Sequence, residues 1–180
     1  AFDSRTIYST KNTAFLAIST KKNSGQKYIE TVIEKGIDTI ITENKIDNSS
    51  INQIITENSV EFLQTLAKYH FEHSHINSIG ITGSNGKTIL KEWLYQCLSN
   101  EFVTVKSPKS FNSQIGLPLS ILQIDKKHEL GIFEVGISKP DEMEKQENVF
   151  HPNIGLLTHI GTAHSANFSS EEALIKEKLM

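Results

Sequence analysis

Cysteine occurs once in this chain, at position 97, and tryptophan once, at position 93. A single thiol excludes an internal disulfide framework and suits a reducing compartment. No apolar run approaches the roughly 20 residues that a membrane span needs. The chain does not open with the basic, apolar, small-residue order of a secretory signal. Charge of one sign is lacking too: 18 basic residues face 21 acidic ones, a net of −3. A nucleic-acid binder usually carries a clustered basic face, so that class of partner is not expected. Arginine is almost missing, since Arg5 stands alone among 17 lysines. A lone guanidinium in a lysine-rich chain points to a planar, bidentate contact that an ammonium cannot replace.

What remains is ordinary globular composition, 37% hydrophobic and 22% charged over 180 residues. That length is room for one large domain or two small ones. The expectation is a cytoplasmic protein with no membrane span and no nucleic-acid partner. The first 75 residues read as a small α/β unit. T-A-F-L-A-I-S-T (13–20) is an apolar, β-rich run. A helix is expected over about 26–35, with Gly36 as its C-cap. D-T-I-I-T-E (38–43) reads as a second strand and 44–53 as a polar loop. Residues 59–70 place Val60, Leu63, Leu66 and Ala67 at helical spacing. His70, His73 and His75 follow at the end of that helix, where cations complement its dipole. The stretch 72–76 marks the expected domain boundary.

From residue 76 onward strand and helix alternate, as in a parallel α/β sheet. Strands are read at 76–82, 102–105, 129–135 and 153–160, and helices from Lys87, at 115–122 and from 171. Cys97 is grouped with Trp93 and Leu94 on the apolar, core-facing side of the helix that starts near Lys87. The chain opens without Met and stops inside its last helix, so it is expected to be part of something longer.

The strongest chemical signal is T-G-S-N-G-K-T at 82–88, between a strand and a helix. Gly83 and Gly86 let backbone N–H groups, with those of Ser84 and Asn85, converge on phosphate oxygens. The helix N-terminus behind them favours anions. Lys87 can reach the β- and γ-phosphates and the Thr88 hydroxyl can ligate Mg²⁺. Position 81 is Ile, so the match is to the shorter G-x-x-G-K-[ST] pattern. A carboxylate at a strand end is the natural companion, because Mg²⁺ prefers oxygen ligands. Glu134, in I-F-E-V-G, is the candidate: buried unpaired it would be costly, and ligands of open α/β sheets bind at that edge.

These residues resemble the Mur ligase family of peptidoglycan synthesis across essentially the whole chain. T-G-S-N-G-K-T looks like that family's T-G-T-N-G-K-T, and E-V-G (134–136) like its magnesium-binding E-x-G. F-N-S-Q-I-G-L-P-L-S (111–120) resembles N-x-N-N-x-I-G-x-P, with Ser113 in place of the second paired Asn. T-H-I-G-T-A-H (158–164) is similar to T-N-I-G-x-A-H, with His159 in place of Asn. D-S-R (3–5) is like the uridine-domain D-S-R, and S-G-Q-K-Y-I (24–29) like D-G-H-x-F-I, with Gln26 for His.

The resemblance implies a small N-terminal α/β uridine-binding domain over 1–75. A P-loop, parallel-sheet ATP-binding domain would follow over 76–180, incomplete at its C-terminus. It implies ATP and Mg²⁺ as cofactors and amide formation through an acyl phosphate. Lys87 would stabilise charge on the transferring phosphoryl group, and Thr88 and Glu134 would hold one Mg²⁺. His164 matches a residue that helps hold a second Mg²⁺. Lys178 matches the lysine that is carbamylated in this family, with Lys176 as the rival position. So near the chain end, the Lys178 helix is expected to fray. Asn112 would line the substrate channel, and Ser4 and Arg5 would sit near the uridine diphosphate.

Within the family the motifs look most like the branch that joins D-alanyl-D-alanine to UDP-N-acetylmuramoyl-tripeptide. The alternatives are the branch adding the third, diamino acid residue and a folylpolyglutamate-synthase-like ligase. In some bacteria the first branch is fused to an alanine racemase. A further C-terminal ligase domain would be needed for turnover, so this chain alone is expected to bind without reacting.

Overall fold

The computed structural model describes residues 1–7, 9–21, 23–161 and 167–179. The chain separates into two compact units, Ala1–Phe62 and Leu63–Met180. The division falls in the first turn of a helix over Ser59–Glu72, ahead of the polar 72–76 stretch that composition marks.

In the first unit, strands β1 (Ala14–Leu16), β2 (Thr39–Thr42) and β3 (Asn52–Ile55) form a parallel sheet in that order. Helix α1 (Ile29–Glu34) follows a 3-10 turn at Gly25–Tyr28. Gly36 closes it at φ +89°, the left-handed geometry glycine tolerates. Phe15, Ala17, Ile29, Val32, Ile37 and Ile40 make this unit's core. The first strand is shorter than its apolar run. After Ala17 donates to Ile41 O at 2.9 Å, Ile18 N turns back to Leu16 O at 3.0 Å and the ladder ends. Strand β3 begins in the last two residues of the loop expected over 44–53. Its residues are largely exposed, so burial leaves no alternating apolar pattern to read.

The second unit carries α2 (Ser59–Glu72) from Leu63 onward and a parallel sheet ordered β5-β6-β4-β7. The strands are β4 (Asn77–Thr82), β5 (Thr104–Lys106), β6 (Leu130–Glu134) and β7 (Ile154–Leu157). Helices α3 (Lys87–Leu98), α4 (Gly116–Ile121), α5 (Glu142–Glu147) and α6 (Glu171–Lys178) alternate with them. Alternation along β6 sorts two apolar layers. Leu130 and Ile132 pack with Ile79 and Ile81 against Leu90, Leu94, Tyr95 and Leu98 of α3. Phe133 and Val135 belong to the other layer, with Leu117 and Ile121 of α4, Met143 of α5 and Leu174 of α6. Helix α5 has no counterpart in the sequence reading, because only Met143 and Gln146 of its six residues are buried.

Two expectations are corrected here. Trp93 is 63% exposed and Cys97 is exposed as well. Helix α3 offers two apolar stripes, Ile89-Trp93-Cys97 and Leu90-Leu94-Leu98, and the second covers the sheet. Lys178 does not sit in a frayed turn: α6 runs through it and its side chain is 4% exposed. The Ser170 hydroxyl caps the start of α6 by accepting from Ala173 N at 3.1 Å.

Candidate functional site: a phosphate loop with a buried carboxylate

Strand β4 delivers residues 82–86 to the C-terminal edge of its sheet, and α3 begins at Lys87. Gly86 at φ +82° is the N-cap, so the loop amides and the helix N-terminus face the same space. Gly83 stands at φ +132°, and a Cβ there would collide with Thr158 Oγ1. Only glycine fits the loop in this form.

The loop is fastened to residues 158–161, which follow β7, the strand that pairs with β4. Thr158 N donates to Thr82 O at 3.0 Å, and Thr158 Oγ1 donates to Asn85 O at 2.6 Å. Ser84 N donates to His159 O at 2.6 Å. Ser84 Oγ donates to Gly161 O at 2.9 Å and accepts from Gly161 N at 2.9 Å. His159 contributes its main-chain carbonyl, which any residue offers, so the exchange of Asn for His leaves this contact intact.

Lys87 donates to Gly83 O at 2.5 Å. Burial pushes its ammonium below the usual lysine range, against the opposing pull of Glu134. Glu134, last residue of β6 and beside Ile81 of β4, points to the α3 layer as the alternation requires. It is fully buried. Its Oε2 accepts from Thr88 Oγ1 at 3.2 Å and from Asn112 Nδ2 at 3.3 Å. The backbone holds it too, since Glu134 N donates to Ser107 Oγ at 3.1 Å. Gly136 makes room for Asn112, because a Cβ there would sit 2.8 Å from Asn112 Cγ. This is a local reason for glycine two residues after the carboxylate.

The structure thus brings Lys87, Thr88 and Glu134 together, as the sequence suggests, and sets Asn112, expected along the substrate channel, against Glu134. It also adds Lys91. This residue is fully buried on α3, with its ammonium 2.9 Å from Glu134 Oε1. Spacing contained the hint, for Lys87, Lys91, Leu94 and Leu98 fall on one helical face. Lysine is so rarely buried that the hint reads as solvated surface.

The donor set fits a hard divalent cation. Thr88 Oγ1 and Glu134 Oε2 are neighbouring oxygens at the mouth of a phosphate loop. Buried Glu134 Oε1 has the Lys91 charge beside it but no aligned hydrogen bond among the described residues. Among the described residues no group of three or more His, Cys, Asp or Glu side chains could hold a metal, so such a cation would also need phosphate or water oxygens. A cavity of about 320 Å³ opens beside Lys87, Asn112, Ser113 and Glu142. The Ser113 hydroxyl is committed to the start of α4, accepting from Gly116 N at 3.1 Å.

A second cavity of about 290 Å³ is lined by Thr82, Val135, Gln146, Phe150, Leu156 and Lys178. Burial, and then the charge of Lys87, push the Lys178 amine below its ordinary range. His164 lies outside the described residues. Of the histidines after α2 begins, His70 Nε2 is 2.9 Å from Ile124 O, and His73 stacks on Tyr69 with ring centroids 4.0 Å apart.

In the first unit, Arg5 makes the bidentate contact that its solitude suggested, but to its neighbour Asp3. Its Nε and Nη2 donate to Oδ1 and Oδ2 at 2.9 and 2.7 Å. The guanidinium holds the Asp3 carboxyl down to about 2. Ser4 is buried, and its carbonyl accepts from Lys35 Nζ at 2.5 Å. Thr42 Oγ1 donates to Gln26 Oε1 at 2.8 Å, while Gln26 Nε2 is buried without a partner among the described residues. No helix of the described residues is long and apolar enough to cross a membrane.

Known proteins resemble this chain in sequence and fold. The Mur ligase middle domain matches residues 81–180. The UDP-N-acetylmuramoyl-tripeptide–D-alanyl-D-alanine ligase of Borreliella burgdorferi is 33% identical over 189 residues, covering 99% of this chain and 41% of that protein. A crystal structure of MurF from Acinetobacter baumannii superposes with a TM-score of 0.91 at 28% identity, over 99% of this chain and 39% of that one. MurF ligase from Thermotoga maritima, solved in complex with ADP, gives 0.87 at 31% identity, over 99% and 41%. The chain therefore spans about two fifths of the length of the relatives it matches.

Proposed function

The chain belongs to the Mur ligase family, and from that premise we propose that it is the nucleotide- and UDP-substrate-handling part of an ATP-dependent amide ligase. That ligase would join D-alanyl-D-alanine to UDP-N-acetylmuramoyl-tripeptide in the cytoplasm. The supporting observation is the phosphate loop with Glu134 and Thr88 paired at its mouth, 3.2 Å apart. We assign the nucleotide role to residues 76–180 and the uridine role to residues 1–75, with Ser4 and Arg5 near the diphosphate. The rest of the active site, including the domain that closes over ATP, would come from sequence outside this chain. A fused alanine racemase would lie further on, where one is present.

In this reading the backbone amides of 83–88 receive the phosphates, and Lys87 exchanges Gly83 O for a phosphoryl oxygen. That exchange places its charge where negative charge accumulates during transfer. Thr88 Oγ1 and Glu134 Oε2 would hold Mg²⁺, which screens phosphate charge when bound. Asn112, released from Glu134 Oε2, is free to orient the substrate carboxylate. Lys178 is the candidate for carbamylation. Burial favours its neutral amine, the form that attacks CO₂, and the product offers oxygens in place of an ammonium. His164 is assigned to a second Mg²⁺ on its motif alone.

The test is thermal denaturation of this chain with Mg-ATP and, separately, with UDP-N-acetylmuramoyl-tripeptide. Both should raise the midpoint, since a ligand stabilises by RT ln(1 + [L]/Kd). No ATP- and substrate-dependent phosphate release is expected from the chain alone. A midpoint unmoved by either ligand would refute the assignment.

A further inference from the structure

Lys91 has no part in the reading above, yet its charge is fully enclosed. Its ammonium lies 2.9 Å from Ser107 O, on Lys109 O, 2.9 Å from Glu134 Oε1 and 3.3 Å from Glu92 Oε1. A lysine has three donors and no acceptor, and here two go to main-chain carbonyls that fix where the head can sit. The two oxygens of Glu134 therefore have different surroundings. Oε1 faces a pinned positive charge, while Oε2 faces the Thr88 hydroxyl and Asn112 on the phosphate-loop side.

Small cations differ in what they ask of a carboxylate. Mg²⁺ takes single oxygens in tight octahedra at about 2.0–2.1 Å, whereas Ca²⁺ readily accepts both oxygens at about 2.3–2.6 Å. We propose that Lys91 is a specificity-determining positioning residue: by holding Glu134 Oε1 it leaves Oε2 alone for the metal, and so favours Mg²⁺ over Ca²⁺ at the nucleotide site. The inference rests on the reading of Glu134 as a metal ligand. It goes beyond that reading by giving the two oxygens separate tasks and naming the residue that separates them.

Two measurements test it. The first is a crystal structure of the unmodified chain with ADP and Mn²⁺, the metal located by its anomalous signal. Mn²⁺ on Oε2 alone, with Lys91 still on Oε1, is expected. Mn²⁺ on Oε1 or on both oxygens would overturn the inference and leave Glu134 as a ligand. Mn²⁺ on neither would overturn the ligand assignment and the inference with it. The second is ADP affinity with Mg²⁺ or Ca²⁺ in the wild type and in Lys91→Met. The preference for Mg²⁺ should fall by about fivefold or more in the variant, because Oε1 is freed for two-oxygen contact. An unchanged preference in a variant that still binds Mg-ADP would overturn the proposal. If Lys91→Met does not fold, the metal position in the unmodified chain decides between these outcomes.

Discussion

Removing either member of the Lys91–Glu134 pair should cost far more than removing both. Both side chains are fully buried, so each single change takes a buried charge from its nearest partner, although Lys91 keeps Glu92 at 3.3 Å. Breaking a buried pair in this way costs about 3–5 kcal/mol. Glu134→Gln should sit at the low end, because Lys91 keeps the carbonyls of Ser107 and Lys109. Lys91→Met should sit at the high end, for Glu134 loses its cation and both carbonyls lose a donor. In the double variant no charge remains. Its cost is two unpaired carbonyls, about 1 kcal/mol each. Independent sites would give a sum of about 6–10 kcal/mol for the double change, so a coupling of at least about 4 kcal/mol is expected. The assay is urea unfolding of the four proteins followed by circular dichroism. Additivity within about 0.5 kcal/mol would refute the buried pair as described.

Three further outcomes follow from the geometry. Lys87→Ala should leave the fold intact, since among the described residues its side chain gives one hydrogen bond, to Gly83 O. It should abolish the thermal shift with Mg-ATP, and a retained shift would remove Lys87 from the phosphate site. Gly83→Ala should destabilise by about 3 kcal/mol or more, combining backbone strain at φ +132° with a clash on Thr158 Oγ1. A urea midpoint within error of the wild type would contradict the loop geometry. Stability should rise with pH on the alkaline side. Lys87 and Lys178 lie below the ordinary value of 10.5 in the fold, so the native state binds fewer protons than the unfolded chain as pH climbs towards that value. The urea midpoint should therefore increase as pH climbs towards that value, with a shallower slope in Lys178→Met. An equal slope in that variant would show that the Lys178 ammonium is not lowered by the fold.

The parts legible in sequence were those whose chemistry constrains residue type locally. Two glycines, a lysine and a threonine between an apolar strand and a helix admit few other readings, and Glu134 stood out as a charge inside I-F-E-V-G. What escaped depended on partners distant in the chain. Lys91 is buried because residues 107, 109 and 134 converge on it, and its place on the face of Leu94 and Leu98 was the one hint within its own helix. Trp93 and Cys97 were ambiguous by phase, as either stripe of α3 could have covered the sheet. Strand β3 escaped because it is exposed, and α5 because one apolar residue in six leaves no period. Arg5 shows the limit of arguing from rarity: its fork exists, but the acid that fills it is two positions away.

The fastening of residues 82–85 to 158–161 bears on the speed of ligand capture. A loop that must close around its phosphate adds a slow conformational step to association. Here the loop is fastened to its neighbours by Ser84 and Thr158 before any ligand arrives. The movements required are side-chain ones, such as the swing of Lys87 away from Gly83 O and the release of Asn112 from Glu134 Oε2. Side-chain rotations of that kind take picoseconds to nanoseconds, far faster than diffusion delivers a nucleotide. Nucleotide uptake should therefore be a single kinetic phase whose rate rises in proportion to concentration, with no plateau from loop closure.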